Sequence, residues 1–345
     1  MDSARAVLEE LKIKVSQASL PKEVEEKLLN LLKFTASGAE AESLIGYVNF
    51  VISLPFGKMS QDILDINRAK QILDKNHYGL QSVKDRILEY LAVMILNKGR
   101  PERSGDSLRV EGHAPILAFI GLVGTGKTSL AYSIAESLGR PLVRIPFGGL
   151  GDPSALRGSS RIRPDAEPGQ IIKAVQSTKV SNPVILLDEI DRAAVEHRVD
   201  IMGVLVELLD PAQNQAFTDH YLDFPYDLSQ VLFIATANNT GNIATAVLDR
   251  LEPIVMPSYS DEEKLIIGKN YLLPKAISEA GINGDLLSID EAVWPQILRP
   301  LGFDSGIRSL SRSLQSICRK IARKQVEGGT GPFRITGDNL REYLS

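Results

Sequence analysis

One stretch of the sequence has the residue types and spacing of a phosphate-binding loop. It is a glycine, four residues and then Gly-Lys-Thr: Gly121-Leu122-Val123-Gly124-Thr125-Gly126-Lys127-Thr128. An apolar strand is predicted to end at Ile120 and a helix to start near Ser129, which is the context such a loop requires. The glycines let backbone N–H groups turn towards phosphate oxygens at the positive end of a helix. We expect Lys127 to hold the β- and γ-phosphates of ATP and the Thr128 hydroxyl to bind Mg²⁺.

Two acidic residues, Asp188 and Glu189, follow another apolar run, 184–187. A side chain at the C-terminal end of a parallel strand faces the ligand crevice of an open α/β sheet. Asp188 would organise the Mg²⁺ shell, and Glu189 would be the base that polarises the attacking water. Such a pair alone is more often a solvated strand end, and the phosphate loop makes it specific. Asn238, which ends a further strand, could reach the γ-phosphate, although a lone asparagine there is usually a turn residue.

Short apolar strands alternate with helices from about residue 115 onwards. The predicted strands are 116–120, 142–145, 184–187 and 231–235, with a short fifth at 254–255. Continuous apolar runs of this length are typical of parallel strands buried on both faces, so the pattern predicts an open α/β sheet. After about residue 259 helices dominate, and 333–336 is the only strand-like stretch.

The chain is therefore predicted to have an α/β fold in three parts. A helical region, 1–58, precedes a large nucleotide-binding domain, 59–258, and a small, mainly helical domain, 259–345. Apolar stripes predict three helices in the first part, with a break at Ser37-Gly38. Other local predictions are a helix capped by Ser60, a helix over about 80–96, and an exposed polar loop at 98–106.

Composition excludes several classes of protein. The net charge of −4 and the pI of about 5.7 provide no basic footprint for nucleic acid. No apolar run approaches the roughly 18–20 residues that span a bilayer, and the N-terminus lacks a signal-peptide core. The single cysteine, Cys318, cannot form an internal disulfide and is expected to be a buried apolar residue. An intracellular protein without a membrane partner is therefore expected.

Together, these features resemble the AAA+ ATPases, and the stretches between them resemble the Lon family of ATP-dependent proteases. The similarity runs from about residue 54 to the C-terminus, and the matching stretches are 73–80, 86–93, 209–214, 217–223, 246–252, 271–275 and 305–310. Segment 217–238 looks most similar to the peroxisomal branch. That likeness implies the peroxisomal matrix as the location, with the mitochondrial matrix second.

The resemblance implies roles for further residues. Asn238 would be sensor 1, Arg308 sensor 2, and Arg250 the arginine finger offered to a neighbouring subunit's ATP. His77 and Tyr78 would line the adenine pocket. A guanidinium is always charged and suits phosphate geometry, although an arginine is otherwise more often part of a surface ion pair. The family also implies ATP, ADP and Mg²⁺ as cofactors, a hexameric homo-oligomeric ring, and unfolded or damaged proteins as substrates in protein quality control.

Three stretches depart from the family pattern. Lon proteins have an aromatic and an apolar residue in a loop that grips substrate, whereas this chain has Arg163-Pro164 there. That change would remove the expected stacking and apolar grip. Segment 195–201 replaces a small-residue, proline-containing stretch. Leu122-Val123 stand where prolines are usual, which should be tolerated because backbone amides bind the phosphates.

The predicted function is the ATP-hydrolysing motor of a Lon-like ATP-dependent serine protease, which couples hydrolysis to the unfolding and translocation of proteins. The Ser–Lys peptidase dyad of the family is expected to be absent, because the chain stops at about the start of that domain. One alternative is a nucleotide-gated scaffold with weak or no turnover, which the altered loop favours. The other is a nucleic-acid-associated AAA+ ATPase, against which the acidic balance argues.

Overall fold

The computed structural model describes residues 2–34, 39–98, 116–299 and 306–344. Its α-helices are α1 Asp2–Gln17, α2 Lys22–Phe34, α3 Ala39–Ser53, α4 Ile66–Asn76, α5 Gln81–Lys98, α6 Lys127–Leu138, α7 Ser154–Arg157, α8 Gln170–Thr178, α9 Arg198–Leu208, α10 Pro211–Asn214, α11 Thr245–Leu248, α12 Asp261–Ile267, α13 Leu273–Ala280, α14 Trp294–Leu298, α15 Arg308–Val326 and α16 Leu340–Leu344. Its strands are β1 Ile116–Ile120, β2 Leu142–Pro146, β3 Val184–Asp188, β4 Phe217–Asp219, β5 Phe224–Tyr226, β6 Leu232–Ala237, β7 Leu251–Val255, β8 Leu287–Ile289 and β9 Phe333–Ile335. The predicted break at Ser37-Gly38 and the predicted loop beyond Lys98 lie outside the described residues.

A five-stranded parallel sheet, in the order β2-β3-β6-β1-β7, carries the nucleotide-binding motifs. Strand β3 pairs with β2 on one side, Val184 opposite Leu142, and with β6 on the other, Val184 opposite Leu232. All residues of β3 and β6 are buried, which explains why these strands are continuously apolar in the sequence. The predicted α/β fold is confirmed. Because the carboxyl ends of parallel strands share one edge, the residues that follow β3 and β6 belong to the same end of the sheet.

The chain divides into two compact units, and each is assembled from separate segments. The first comprises Met1–Asp65, Ile95–Ala118 and Ile134–Glu252. The second comprises Ile66–Met94, Phe119–Ser133 and Pro253–Ser345. The three-part division at residues 58 and 258 stays a prediction.

The N-terminal helices α1 to α3 are part of the hydrophobic core of the first unit. Tyr47 of α3 is fully buried, and its hydroxyl donates a hydrogen bond of 2.7 Å to the Leu222 carbonyl in the β4–β5 turn. Its ring meets that of Tyr221 edge to face at 5.7 Å. Burial raises the pKa of Tyr47 to about 12. These helices therefore pack on the β4–β5 hairpin as well as on one another, in keeping with the small apolar area that three short helices can bury alone.

The prediction of a helix that begins at Ser60 is wrong, because α4 begins only at Ile66. The backbone N–H and the hydroxyl of Ser60 both donate to Oδ1 of Asn182, at 2.8 and 3.1 Å, rather than capping a helix. Asp62 is held by a two-pronged ion pair with Arg140, Nε to Oδ1 at 2.7 Å and Nη2 to Oδ2 at 2.8 Å. Tertiary contacts of these polar side chains therefore override their local helix-starting tendency.

The C-terminal part of the second unit is mainly helical, as predicted, with a small core around α15. Cys318 is fully buried in this core, and burial raises the pKa of its thiol to about 11. The predicted strand at 333–336 corresponds to β9, which pairs in parallel with β8. The sequence did not reveal β8, because its three residues are too few to show a period. Among the described residues, no helix combines the length and apolarity needed to cross a bilayer.

Candidate ATP-binding and hydrolysis site

The phosphate loop has the backbone conformation that its glycines allow. Gly124 and Gly126 have φ angles of 84° and 96°, in the region that other L-residues rarely adopt. Gly121 is required for a different reason, since a Cβ there would lie 2.7 Å from Cβ and O of Met256. The helix that follows begins at Lys127, two residues earlier than predicted.

Lys127 is buried within its own loop. Its Nζ donates to the carbonyl oxygens of Gly121 and Leu122, at 2.6 and 3.0 Å. These carbonyls are neutral partners for a charged ammonium, and phosphate oxygens would be stronger ones. The lysine is therefore positioned at the loop to exchange carbonyl for phosphate oxygens.

The start of α15 lies against the phosphate loop within the second unit. The N–H of Ile307 donates to the Gly124 carbonyl at 3.0 Å. The approach is so close that a Cβ on Gly306 would lie 2.4 Å from the Val123 carbonyl oxygen. Arg308 opens α15 with an exposed side chain, so the structure brings the predicted sensor 2 residue beside the phosphate loop.

His77 is also in the second unit, packed on the helix that follows the phosphate loop. Its Nε2 lies 2.8 Å from Oγ of Ser133 in α6. Burial, together with the nearby positive charge of Lys84, lowers the pKa of His77 to about 4. A neutral imidazole of this kind suits an apolar adenine pocket better than a phosphate site. Tyr78 beside it is half-buried.

The low pKa of His77 should make folding stability depend on pH. Between about pH 6.5 and pH 4 the unfolded chain binds a proton that folded His77 does not. The contribution of neutral His77 to the free energy of unfolding is therefore fully present above about pH 6.5. It should be lost as the pH falls towards 4, by up to about 3 kcal/mol. His77→Gln should flatten this part of a profile of urea midpoints against pH, whereas His197→Gln, at an exposed position, should not. Equal slopes in wild type and His77→Gln would contradict the assignment.

Asp188 ends β3 in the first unit, as predicted, and both of its carboxylate oxygens are engaged. Oδ1 accepts a hydrogen bond from the hydroxyl of Thr236 in β6, and Oδ2 accepts one from Nε of Arg144 in β2 at 2.6 Å. The Thr236 oxygen in turn accepts from the N–H of Glu189 at 2.9 Å. Sequence reasoning did not identify Thr236. Its position on the strand next to β3 was the missing information.

Glu189 has a strained backbone and a partly accessible side chain. Its φ is 58°, which is uncommon for a non-glycine residue and occurs often at functional sites. The carboxylate lies 3.6 Å from Nη1 of Arg192, and its side chain is 29% exposed. A partly exposed carboxylate directly after a buried one fits a general base that must meet water.

The other two predicted residues of the first unit make intramolecular contacts. The N–H of Asn238 donates to Oδ1 of the buried Asp191 at 3.1 Å, which fixes the backbone after β6. Nη2 of Arg250 lies 2.8 Å from Oδ2 of Asp210, and its Nη1 donates to the Ala246 carbonyl. The hydrogen bond from Arg250 is the largest cause of a lowered pKa at Asp210. In this structure Arg250 is thus part of an ion pair.

Hydrogen bonds hold the two ends of the loop 158–169, where the substrate-gripping residues were expected. Oδ2 of Asp219 accepts from the N–H of Gly169 at 2.8 Å, and the N–H of Ser159 donates to the Glu167 carbonyl at 2.9 Å. Asp219 is fully buried, and burial raises its pKa although three backbone N–H groups oppose the shift. Arg163-Pro164 does not supply an apolar grip, but the preceding Ile162 is 94% exposed.

The donor set fits a magnesium ion that arrives with a nucleotide. Among the described residues, no cluster of three or more His, Cys, Asp or Glu side chains could hold a metal. Mg²⁺ prefers oxygen ligands and is usually held by one or two protein groups together with phosphates and water. A hydroxyl at Thr128 and a carboxylate at Asp188 have this chemistry.

Comparison with known proteins defines the class. Residues 117–259 match the AAA family, the ATPases associated with various cellular activities, and residues 278–333 match the Lon protease AAA+ ATPase lid domain. The chain therefore contains an AAA ATPase domain. An AAA domain followed by a Lon lid domain is, more particularly, the arrangement of a Lon AAA+ module.

Curated relatives agree over almost the whole chain. The Lon protease of Lawsonia intracellularis is 44% identical over 341 residues, 98% of this chain and 40% of that protein. Lon protease 2 of Thermus thermophilus is 42% identical over 98% of this chain and 42% of its own length. The Lon protease of Desulfovibrio desulfuricans is 41% identical over 99% and 38%. The chain thus spans about two fifths of the length of these relatives.

The predicted peroxisomal location, with the mitochondrial matrix second, is wrong. The similar Lon proteases named here are bacterial, and bacteria have neither compartment. The likeness that suggested it lies in segment 217–238, which contains the β4–β5 hairpin and strand β6. In the structure Tyr221 of this hairpin packs on Tyr47, and β6 is buried in the sheet.

Proposed function

We propose that this AAA ATPase module is the motor of a Lon-like ATP-dependent serine protease, in which ATP hydrolysis drives the unfolding and translocation of protein substrates. The observation that carries the proposal is the backbone contact between the phosphate loop and the start of α15, where Ile307 N–H donates to Gly124. Through it, a change at the phosphates would be transmitted to the lid helix. In a Lon-type module such lid movement is the expected source of mechanical work.

The residues divide the reaction between them. The loop amides of 121–128 and the Lys127 ammonium hold the phosphates, and Asp188 and the Thr128 hydroxyl are the oxygen ligands for Mg²⁺. The ion supplies charge neutralisation at the phosphates when bound. Glu189 accepts a proton from the attacking water, and ADP and phosphate are the products.

The remaining predicted residues bind and position. Asn238 orients the attacking water, and Arg308 adds positive charge at the γ-phosphate from α15. His77 and Tyr78 contact the adenine, where a neutral imidazole avoids the desolvation cost of a charge. Support comes from the burial of His77 against α6, the helix that begins at Lys127.

Assembly into a hexameric ring is part of the proposal. Lon-type AAA+ proteins generally form oligomeric rings that act on protein substrates. In such a ring Arg250 would exchange Asp210 for the γ-phosphate of a neighbouring subunit, where an arginine is worth about 10³–10⁵ in turnover. Unfolded or damaged proteins are the proposed substrates.

The test is ATP hydrolysis measured against protein concentration. Specific activity of the wild type should rise with concentration as rings form, whereas Arg250→Ala should stay flat and about a thousandfold lower. Asp210→Ala is the matched control, because it breaks the same 2.8 Å ion pair but keeps the arginine. Equal activity of Arg250→Ala and wild type would exclude the trans role.

The nucleotide-gated scaffold is the second candidate. The specific observation that favours it is the loop 158–169, which has Arg163-Pro164 where an apolar grip is expected. If the wild type binds ATP but does not hydrolyse it at any concentration, the scaffold is the better description. A nucleic-acid-associated ATPase is disfavoured by the net charge of −4 and would be indicated by salt-dependent binding to DNA.

A further inference from the structure

Asp188, the proposed magnesium ligand, is paired with an arginine that neither the sequence nor the family likeness singled out. Nε of Arg144 lies 2.6 Å from Oδ2 of Asp188, although the two residues are 44 positions apart. They meet because β2 and β3 are adjacent parallel strands whose register sets Arg144 opposite Leu186, two residues before Asp188. Both residues belong to the first compact unit.

The two ends of this ion pair differ in accessibility. The side chain of Asp188 is 4% exposed, and that of Arg144 is 49% exposed. A carboxylate this deeply buried is costly without a counter-charge, and its other oxygen accepts a hydrogen bond from the neutral hydroxyl of Thr236. Arg144 thus balances the charge of Asp188, and being half exposed it can leave towards solvent.

A magnesium ion bound by Asp188 would use the same negative charge. Guanidinium and Mg²⁺ therefore compete, because each neutralises the same carboxylate charge and the guanidinium binds Oδ2 directly. A cation this close to the carboxylate weakens its attraction for a second cation such as Mg²⁺ by ordinary electrostatics.

We propose that Arg144 is a placeholder cation: it neutralises Asp188 while no metal is bound and yields the carboxylate when Mg²⁺ arrives with the nucleotide. The inference rests on the proposed function, since it takes Asp188 as the magnesium ligand. Its consequence is the extent to which nucleotide binding depends on Mg²⁺. With Arg144 in place, a metal-free nucleotide meets a neutralised carboxylate; without it, the bare charge of Asp188 repels the phosphates and attracts Mg²⁺ more strongly.

The experiment is equilibrium binding of fluorescently labelled ADP, measured once in excess EDTA and once in excess Mg²⁺. The dissociation constant in EDTA, divided by the dissociation constant in Mg²⁺, reports how strongly the metal favours nucleotide binding. This ratio does not depend on turnover. Arg144→Met, which removes the charge but keeps most of the side-chain length, should raise this ratio about tenfold. Arg144→Lys should fall between wild type and Arg144→Met, because an ammonium is compact and strongly hydrated.

The control is Arg323→Met, which removes an exposed arginine of α15 from its ion pair with Glu327 and should leave the ratio unchanged. A ratio in Arg144→Met that equals or falls below the wild-type value would overturn the inference, since a residue that merely positions Asp188 would weaken metal binding when lost. If Arg144→Met does not fold, Arg144→Lys decides by the same criterion. A wild-type ratio of one would instead remove Asp188 as a metal ligand and with it that part of the proposed function.

Discussion

Replacing Glu189 by glutamine should lower ATP turnover at least about a hundredfold and leave nucleotide binding nearly intact. The amide has the same shape but cannot accept a proton from water. The backbone is expected to keep its conformation, because the N–H of Glu189 donates to Thr236 whatever the side chain is. The strain of the 58° φ is common to both residues, so folding should be unaffected.

Steady-state ATP hydrolysis and equilibrium ATP binding, measured on the same preparations, provide the check. Glu196→Gln is a suitable control, since Glu196 is an exposed acid only seven positions further along and should not affect turnover. Undiminished hydrolysis in Glu189→Gln would remove Glu189 from its role as base. Loss of ATP binding as well as turnover would indicate that the carboxylate, with Arg192 at 3.6 Å, supports the site rather than the reaction.

Replacing the buried Arg140 should cause a large loss in the free energy of unfolding of the first unit. The side chains of Arg140 and Asp62 are only 4% and 6% exposed, and the guanidinium also donates to the Gln230 carbonyl. Arg140→Met would leave the Asp62 carboxylate buried without a counter-charge. The expected loss in the free energy of unfolding is about 3–5 kcal/mol.

Urea unfolding, followed by far-ultraviolet circular dichroism, would measure this loss. The double variant Arg140→Met with Asp62→Leu should recover most of it, because a well-packed apolar pair often replaces a buried ion pair without net cost. Arg323→Met breaks an exposed pair and should cost less than about 1 kcal/mol. A similarly small loss in Arg140→Met would mean that water reaches the Asp62 carboxylate after the substitution.

The sequence by itself determined the fold class and the residues at the strand ends. Continuous apolar runs identified β1, β3 and β6 to within two residues, because strands buried on both faces leave few polar positions. Strand β2 was also identified, although it is less buried and contains Arg144. The phosphate loop was equally clear, since its function depends on backbone freedom that only glycine provides. The family likeness then supplied predicted roles for further residues, and the AAA and Lon lid matches agree with the likeness itself.

Sequence reasoning was weaker wherever a polar side chain has a choice of partners. Ser60 has the residue type of a helix cap, yet it binds Asn182, 122 positions away. Arg250 pairs with Asp210, 40 positions away, within the single chain, and its contact with a neighbouring subunit stays a prediction. The likeness of segment 217–238 suggested a cellular location, whereas in the structure Tyr221 of this segment packs on Tyr47 of α3.

Only the tertiary structure decided which groups surround the acidic pair. Thr236 and Arg144 reach Asp188 from β6 and β2, at separations of 48 and 44 residues. Nothing local in the sequence marks either residue, because a threonine and an arginine suit a strand for many reasons. The strand order β2-β3-β6 is fixed by packing of the whole sheet, and that order alone determines that these two side chains share one carboxylate.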